Sequence, residues 1–258
     1  MNEIVTFGKG YGLQPGIKVF VKSARRFCDK LTIICSNLTP ELMEFLSKHE
    51  VNVVDSNEIA KTYSVDTTIS PYTLKVIFFY LYCKHYSSST NVYLCDFTDL
   101  YFQGNVFDLI KDSRPIVTSE NNIIANCDTN TTWIKLCYNN DIYNLLKRYE
   151  ILNGGSILGE RSATVSLMKE MCADMTQIIS RIGNYPNIDQ ASLNKVVYFD
   201  QRRYNILRSM EIANLAHHAS AQTIIAVDHV AINGAVPCVL HQYDVIKPLE
   251  KFLYEQFQ

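Results

Sequence analysis

Hydrophobic and polar positions switch repeatedly between a strand period and a helix period along the first third of the chain. Residues 4–7 form a short apolar run, 17–27 carry apolar positions at helical spacing with Lys22, Arg25 and Arg26 outward, and 31–35 are strand-like again. Thr39-Pro40-Glu41 reads as a helix start, a threonine cap followed by proline at the first helical position, with Leu42, Phe45 and Leu46 turned inward. Residues 51–54 predict the next strand, and 71–86 predict a strong helix with a dense face of Leu74, Ile77, Phe78, Leu81 and Tyr82. Further on, the pattern predicts a strand at 115–118, a helix at 141–149, a glycine-interrupted strand at 151–159 and a long helix at 162–181. In that last helix Met168, Met171 and Met175 read as core filler. This alternation predicts an α/β fold, one Rossmann-like, mostly parallel sheet with helices on both faces.

Composition narrows the class. With 258 residues, 47% of them hydrophobic and 19% charged, the chain can bury one large core and is neither disordered nor a membrane protein. A net charge of −2 gives no basic footprint, so no nucleic-acid partner is expected. The eight cysteines are scattered without a CxxC pair, which fits a reducing compartment better than a disulfide framework or a zinc site. Residues 1–6 enter an apparent strand without a charged leader, and no stretch is apolar for long enough to span a bilayer. A soluble, cytoplasmic protein without an integral membrane segment is expected.

One stretch carries candidate chemistry. The apolar run Asn91-Val92-Tyr93-Leu94-Cys95 stops at Asp96-Phe97-Thr98-Asp99, two carboxylates separated by two residues. Paired acids at a strand end suit a hard divalent cation that keeps open positions for phosphate oxygens, and they equally suit a turn that caps the next element. Lys75, among apolar neighbours early in the 71–86 helix, is either a solvated lysine or a phosphate contact. Glu120 stands with polar neighbours at the expected end of the 115–118 strand. Adjacent Gly154 and Gly155 mark a place where another backbone or a ligand must come close. Gly8, Gly10 and Gly12 do not make a dinucleotide fingerprint, because Leu13 stands where the third glycine belongs, and a P-loop is absent.

Taken in order, five segments resemble glycosyltransferases of the GT-A fold, which use nucleotide-diphospho-sugars. They are Val5-Thr6-Phe7-Gly8-Lys9-Gly10-Tyr11, Asp96 through Gln103, Asn153 through Gly159, Asp189-Gln190-Ala191-Ser192-Leu193-Asn194, and Leu240-His241-Gln242-Tyr243-Asp244 with Lys247-Pro248. The resemblance implies a single domain over 1–258, with a nucleotide-binding half at 1–120 and a sugar- and acceptor-binding half at 121–258. It implies that Asp96 and Asp99 bind Mn²⁺ or Mg²⁺, with His241 completing the metal shell. It places Thr6, Gly8 and Tyr11 in a loop after the first strand that holds the base and ribose of a UDP- or GDP-sugar. Asn153 and Gly154 fall beside that donor, Lys247 near its diphosphate, and Asp189 and Gln190 against the transferred sugar or the acceptor. Asp189 is alternatively a helix cap, His241 a core histidine and Lys247 a surface lysine. The chain departs from the common pattern at Thr98, where a second acid usually stands.

The implied reaction is metal-assisted transfer of a sugar to a hydroxyl acceptor on a glycan, a protein or a small molecule. An inverting outcome needs a base for the hydroxyl proton, with Asp189 and Glu120 as candidates. A retaining outcome would use a front-face route assisted by the leaving phosphate, and the Asp189-Gln190 and His241-Lys247 pattern leans that way. Two other classes stay open from sequence: a silent sugar-nucleotide or glycan-binding module, and a metal-dependent phosphate-ester hydrolase.

Overall fold

The apolar runs of the first half become four parallel strands, β1 (Asn2–Lys9), β2 (Leu31–Ser36), β3 (Asn52–Asp55) and β4 (Asn91–Cys95). The computed structural model describes residues 1–208, 210–217, 222–226 and 229–258. Among them, seven strands form one sheet in the order β3-β2-β1-β4-β7-β6-β8, completed by β6 (Ile116–Ile123), β7 (Glu150–Glu160) and β8 (Asn205–Leu207). Strand β7 runs antiparallel to both its neighbours and the rest run parallel, so this is an α/β fold with a Rossmann-like, mostly parallel sheet.

Both faces of the sheet are covered, which is why its strands read as continuous apolar runs. Ile4 and Tyr93 face a core built with α1 (Pro15–Ala24) and α2 (Pro40–Lys48). Their neighbours Val5, Val92 and Leu94 face the opposite core, with α4 (Pro71–His85), α7 (Arg161–Ile182) and α8 (Ile188–Phe199). Met168, Met171 and Met175 are buried in that second core, as their spacing predicts. The Thr39 hydroxyl accepts the Leu42 amide, and Pro40 opens α2. Two short polar helices escape the periodic pattern: α3 (Ser56–Tyr63), capped by Asp55, and α5 (Asp128–Cys137). The helix expected at 141–149 is α6 (Asn140–Leu146).

The chain leaves β1 toward β2 and β3, then returns to lay β4 along the opposite edge of β1. That reversal opens a crevice beyond the carboxyl ends of β1 and β4, the usual ligand position in such sheets. A second, three-stranded sheet stands beside it: β5 (Leu100–Phe102) pairs antiparallel with β12 (Val239–His241), which pairs parallel with β9 (Ile212–Asn214). A hairpin of β10 (Thr223–Ile225) and β11 (Val230–Ile232) and a final helix, α9 (Lys247–Gln256), complete the described elements. Among the described residues no helix is long and apolar enough to cross a membrane. All eight cysteines are free thiols.

Candidate metal centre and adjoining cleft

Strand β4 ends at Cys95, and the loop that follows carries Asp96 and Asp99 into the crevice. The loop is held from two sides. The Asp96 amide donates to the Gly155 carbonyl at 3.1 Å, and the Gln242 amide donates to the Asp99 carbonyl at 2.8 Å. Gly16, near the start of α1, lets that helix close on the loop, because a Cβ there would lie 2.1 Å from the Thr98 carbonyl oxygen. The small sheet then brings in the third member. His241 is in register with Leu100, the residue after Asp99, and with Asn214 at the end of β9.

Asp96, Asp99 and His241 offer ligand atoms that all lie within 4.8 Å of one another. Two bonds of about 2.0–2.6 Å to a hard cation cover such a span. His241 is fully buried, with its Nε2 3.4 Å from Asp96 Oδ2 and 3.7 Å from Asp99 Oδ2. Its other nitrogen, Nδ1, lies 2.9 Å from Asn214 Oδ1. The Asn214 amide nitrogen is committed to the Ser119 carbonyl at 2.9 Å and the Thr118 hydroxyl at 3.0 Å, so its oxygen is the atom that faces the ring. Nδ1 therefore carries a hydrogen, and Nε2 is the ring nitrogen turned toward the two carboxylates. An orienting partner of this kind is the usual outer support of a metal-binding histidine. His241 Nε2 and Asp99 Oδ1 are buried without a hydrogen-bond partner, which is costly unless a further group completes them. Two carboxylates and a neutral imidazole suit Mn²⁺ or Mg²⁺ in donor chemistry, Mn²⁺ accepting the nitrogen more readily.

Protons and burial compete at this centre. Burial works against the imidazolium, yet Asp99 and Asp96 beside the ring raise the His241 pKa. Burial pushes the Asp99 carboxyl up to about 6 against the pull of His241. Burial acts the same way on Asp96, but Lys75 and then His241 outweigh it and hold this carboxyl well below the usual range. Lys75 is buried, not solvated. Its ammonium lies 2.8 Å from Asp96 Oδ1 and 3.5 Å from Asp189 Oδ2, and the two acids raise its pKa despite the cost of burial. Asp96 thus gives one oxygen to Lys75 and turns the other toward His241.

A cleft of about 400 Å³ adjoins the acidic loop. Gly8 and Lys9 line it from the end of β1, Tyr72 and Lys75 from α4, and Asp96 and Asp99 from the loop. Tyr11 stands at its wall, set edge-on to Phe97 with ring centroids 5.4 Å apart, and Tyr72 is half exposed opposite the polar floor.

The remaining candidates divide. Asn153 and Gly154 lie on β7 beside the centre: the Asn153 side-chain Oδ1 accepts the Gly155 amide at 2.7 Å, and the Gly154 amide donates to Gln190 Oε1 at 3.3 Å. Gly155 itself is packed so tightly that a Cβ would sit 2.1 Å from Asp96 Oδ2 and 2.7 Å from His241 Cε1. Asp189 occupies the first turn of α8, whose cap position is Asn187, so it is not the cap; it is buried against Lys75. Thr6 and Gly8 belong to β1 rather than to the loop after it, because the parallel pairing with β2 runs on to Lys9 and Ser36. Thr6 is fully buried in the sheet and does not line the cleft. Glu120 is likewise inside a strand, since β6 continues past 118 through two irregular steps to Ile123. Lys247 opens α9, stays exposed, pairs with Glu250 at 2.9 Å, and is not part of the cleft lining.

Asn214, Gly16, Tyr72 and His217 were not singled out by sequence. Only the adjacent glycines gave a signal for the close approach at Gly155. No protein-family model matches this chain, and no curated protein sequence matches it.

Proposed function

We propose that this chain is a metal-dependent glycosyltransferase of the GT-A type, moving a sugar from a nucleotide-diphospho-sugar, UDP- or GDP-linked, to a hydroxyl acceptor. The observation that carries the reading is the Asp96–Asp99–His241 group, with its orphaned buried Nε2 and Oδ1 atoms, at a sheet crevice that also presents aromatic rings. A bound Mn²⁺ or Mg²⁺ would supply the positive charge that the donor diphosphate needs as it departs. Asp96, Asp99 and His241 would hold that ion, and Asn214 keeps the histidine in its ligating tautomer. Tyr11 and Tyr72 offer ring faces suited to a base, which stacks without needing a particular hydrogen-bond pattern. Lys75 fixes the orientation of Asp96 and ties it to Asp189 on α8, so the two walls of the site are set by one ammonium group. Gln190, through Gly154, positions β7 where the transferred sugar would lie.

Incubation with a panel of UDP- and GDP-hexoses and Mn²⁺, with and without hydroxyl acceptors, tests the proposal by release of nucleoside diphosphate. Turnover that rises with acceptor and is lost in Asp96→Asn/Asp99→Asn supports transfer. Release at the same rate without acceptor, or cleavage of simple phosphate esters, would favour a hydrolase. Binding of a donor without turnover would identify a silent binding module.

A further inference from the structure

A carboxylate–histidine pair beside the metal centre has no part in the reading above. Glu120 is buried on β6, and each of its oxygens is engaged. Oε1 accepts from Asn153 Nδ2 at 2.9 Å and from Gln190 Nε2 at 3.2 Å, while Oε2 lies 3.0 Å from His217 Nε2. Gln190 is anchored in turn by Asn130 Oδ1 at 3.0 Å. Glu120 is therefore held by neighbours on β7 and α8 with both oxygens engaged, which suits an orienting group better than a base that must collect a proton itself. An ionised carboxylate only accepts, so His217 Nε2 carries a hydrogen and the lone pair of the neutral ring is on Nδ1. The His217 side chain remains 29% exposed, so its ring is open to solvent.

The pair is wired to the metal centre at two points. Asn153, which donates to Glu120, also accepts the amide of Gly155, the residue wedged against Asp96 and His241. Asn214, which orients His241, lies three residues before His217 and is bonded to Ser119, the neighbour of Glu120. Among the described residues, the charged group on the His217 ring is Glu120. The adjacent elements β7 and α8 present the neutral amides of Asn153 and Gln190, and Asp189 is turned toward Lys75.

We propose that His217, oriented by Glu120, is the general base that takes the proton of the acceptor hydroxyl. This rests on the glycosyltransferase reading. The acceptor oxygen forms its bond to the anomeric carbon as the bond from that carbon to the diphosphate oxygen breaks. The hydroxyl proton passes to His217 Nδ1, and the electron pair leaves with the nucleoside diphosphate. A base acting on the incoming hydroxyl in one displacement inverts the anomeric centre, against the retaining outcome toward which the motif pattern leans. Glu120 is a positioning residue in this scheme.

The test uses the full chain with Mn²⁺, whichever α-linked UDP- or GDP-hexose it cleaves, and a methyl hexoside as hydroxyl acceptor. Proton NMR of the product should show a β linkage. His217→Ala should lower kcat by about 10²–10⁴-fold, with Mn²⁺ and nucleoside-diphosphate affinities by calorimetry unchanged and part of the rate restored by added imidazole. Glu120→Gln should move the acidic limb of kcat/KM to lower pH, because the Glu120 contact raises the His217 pKa, against the opposing effect of burial. An α-linked product, or His217→Ala turning over at the wild-type rate, would overturn this inference while leaving the transferase reading intact. No cleavage of any donor by the wild-type chain would overturn both.

Discussion

Replacing Gly155 with alanine tests the candidate metal centre through a single methyl group. The added Cβ would lie 2.1 Å from Asp96 Oδ2, 2.7 Å from Asp96 Cγ and 2.7 Å from His241 Cε1. Ordinary contact begins at 3.4 Å, so the carboxylate must retreat by about 1.3 Å. It cannot do so freely, since Lys75 holds Oδ1 at 2.8 Å and the Asp96 amide is tied to Gly155 itself. The His241 ring cannot yield either, being fully buried and held at Nδ1 by Asn214. Overpacking of this kind costs about 1–3 kcal/mol of stability, or roughly 2–4 °C in Tm per kcal/mol for a domain of this size. The effect on metal binding is larger than the effect on stability. Metal sites tolerate deviations of only about 0.2 Å in ligand distance, and loss of an outer support alone costs about 10–100-fold in affinity. Mn²⁺ affinity, measured by calorimetry, should fall by at least that factor while the far-UV spectrum stays native. Gly154→Ala is the control: its Cβ would meet Asp189 Oδ2 at 3.4 Å and Gln190 Cα at 3.8 Å, both ordinary contacts. Gly155→Ala binding Mn²⁺ like the wild type, or Gly154→Ala losing it as severely, would refute the placement of the metal against Gly155.

Asn214→Leu removes the acceptor that fixes the His241 tautomer, so Mn²⁺ affinity should drop by about 10–100-fold; unchanged affinity in titration calorimetry would mean that Asn214 serves β6 alone. Metal binding should weaken as pH falls through about 6, because the Asp99 carboxyl is pushed up to about 6 and His241 is also raised, so protons compete for both ligands. Calorimetry in buffers of different ionisation enthalpy should therefore detect proton release at pH 6, and a flat affinity between pH 5 and 8 would contradict the ligand set. Lys75→Met strands Asp96 and Asp189 without a cation; losing one partner of a fully buried pair costs about 3–5 kcal/mol, and less here because Asp96 keeps about a third of its side chain exposed. Urea unfolding at pH 7 with no change in midpoint would show that the pair is not structural.

The order of elements was written in the sequence because periodicity records burial directly. Apolar runs of strand length gave β1, β2 and β4, and Thr39-Pro40 gave the start of α2 to the residue. Asp96 was visible as the polar stop of an apolar strand, and the glycine pair marked a close approach. Helices α3 and α5 escaped because their stability comes from tertiary support, not from a wide apolar stripe: α3 is capped by Asp55 and packs against β2, and α5 packs against α6 and α8.

Long-range pairing decided the rest. Nothing near residue 241 reveals that β12 lies between β5 and β9, yet that register alone brings His241 to Asp96 and Asp99 and puts Asn214 behind it. Lys75 reads as either a solvated lysine or a phosphate contact until α4 packs against α8 and places two carboxylates around it. Thr6 is withdrawn from the cleft and Glu120 sits mid-strand because ladder length is set by the partner strand, whose extent a single segment does not encode. Local sequence specified which residues are able to do chemistry, and the sheet order specified which of them meet.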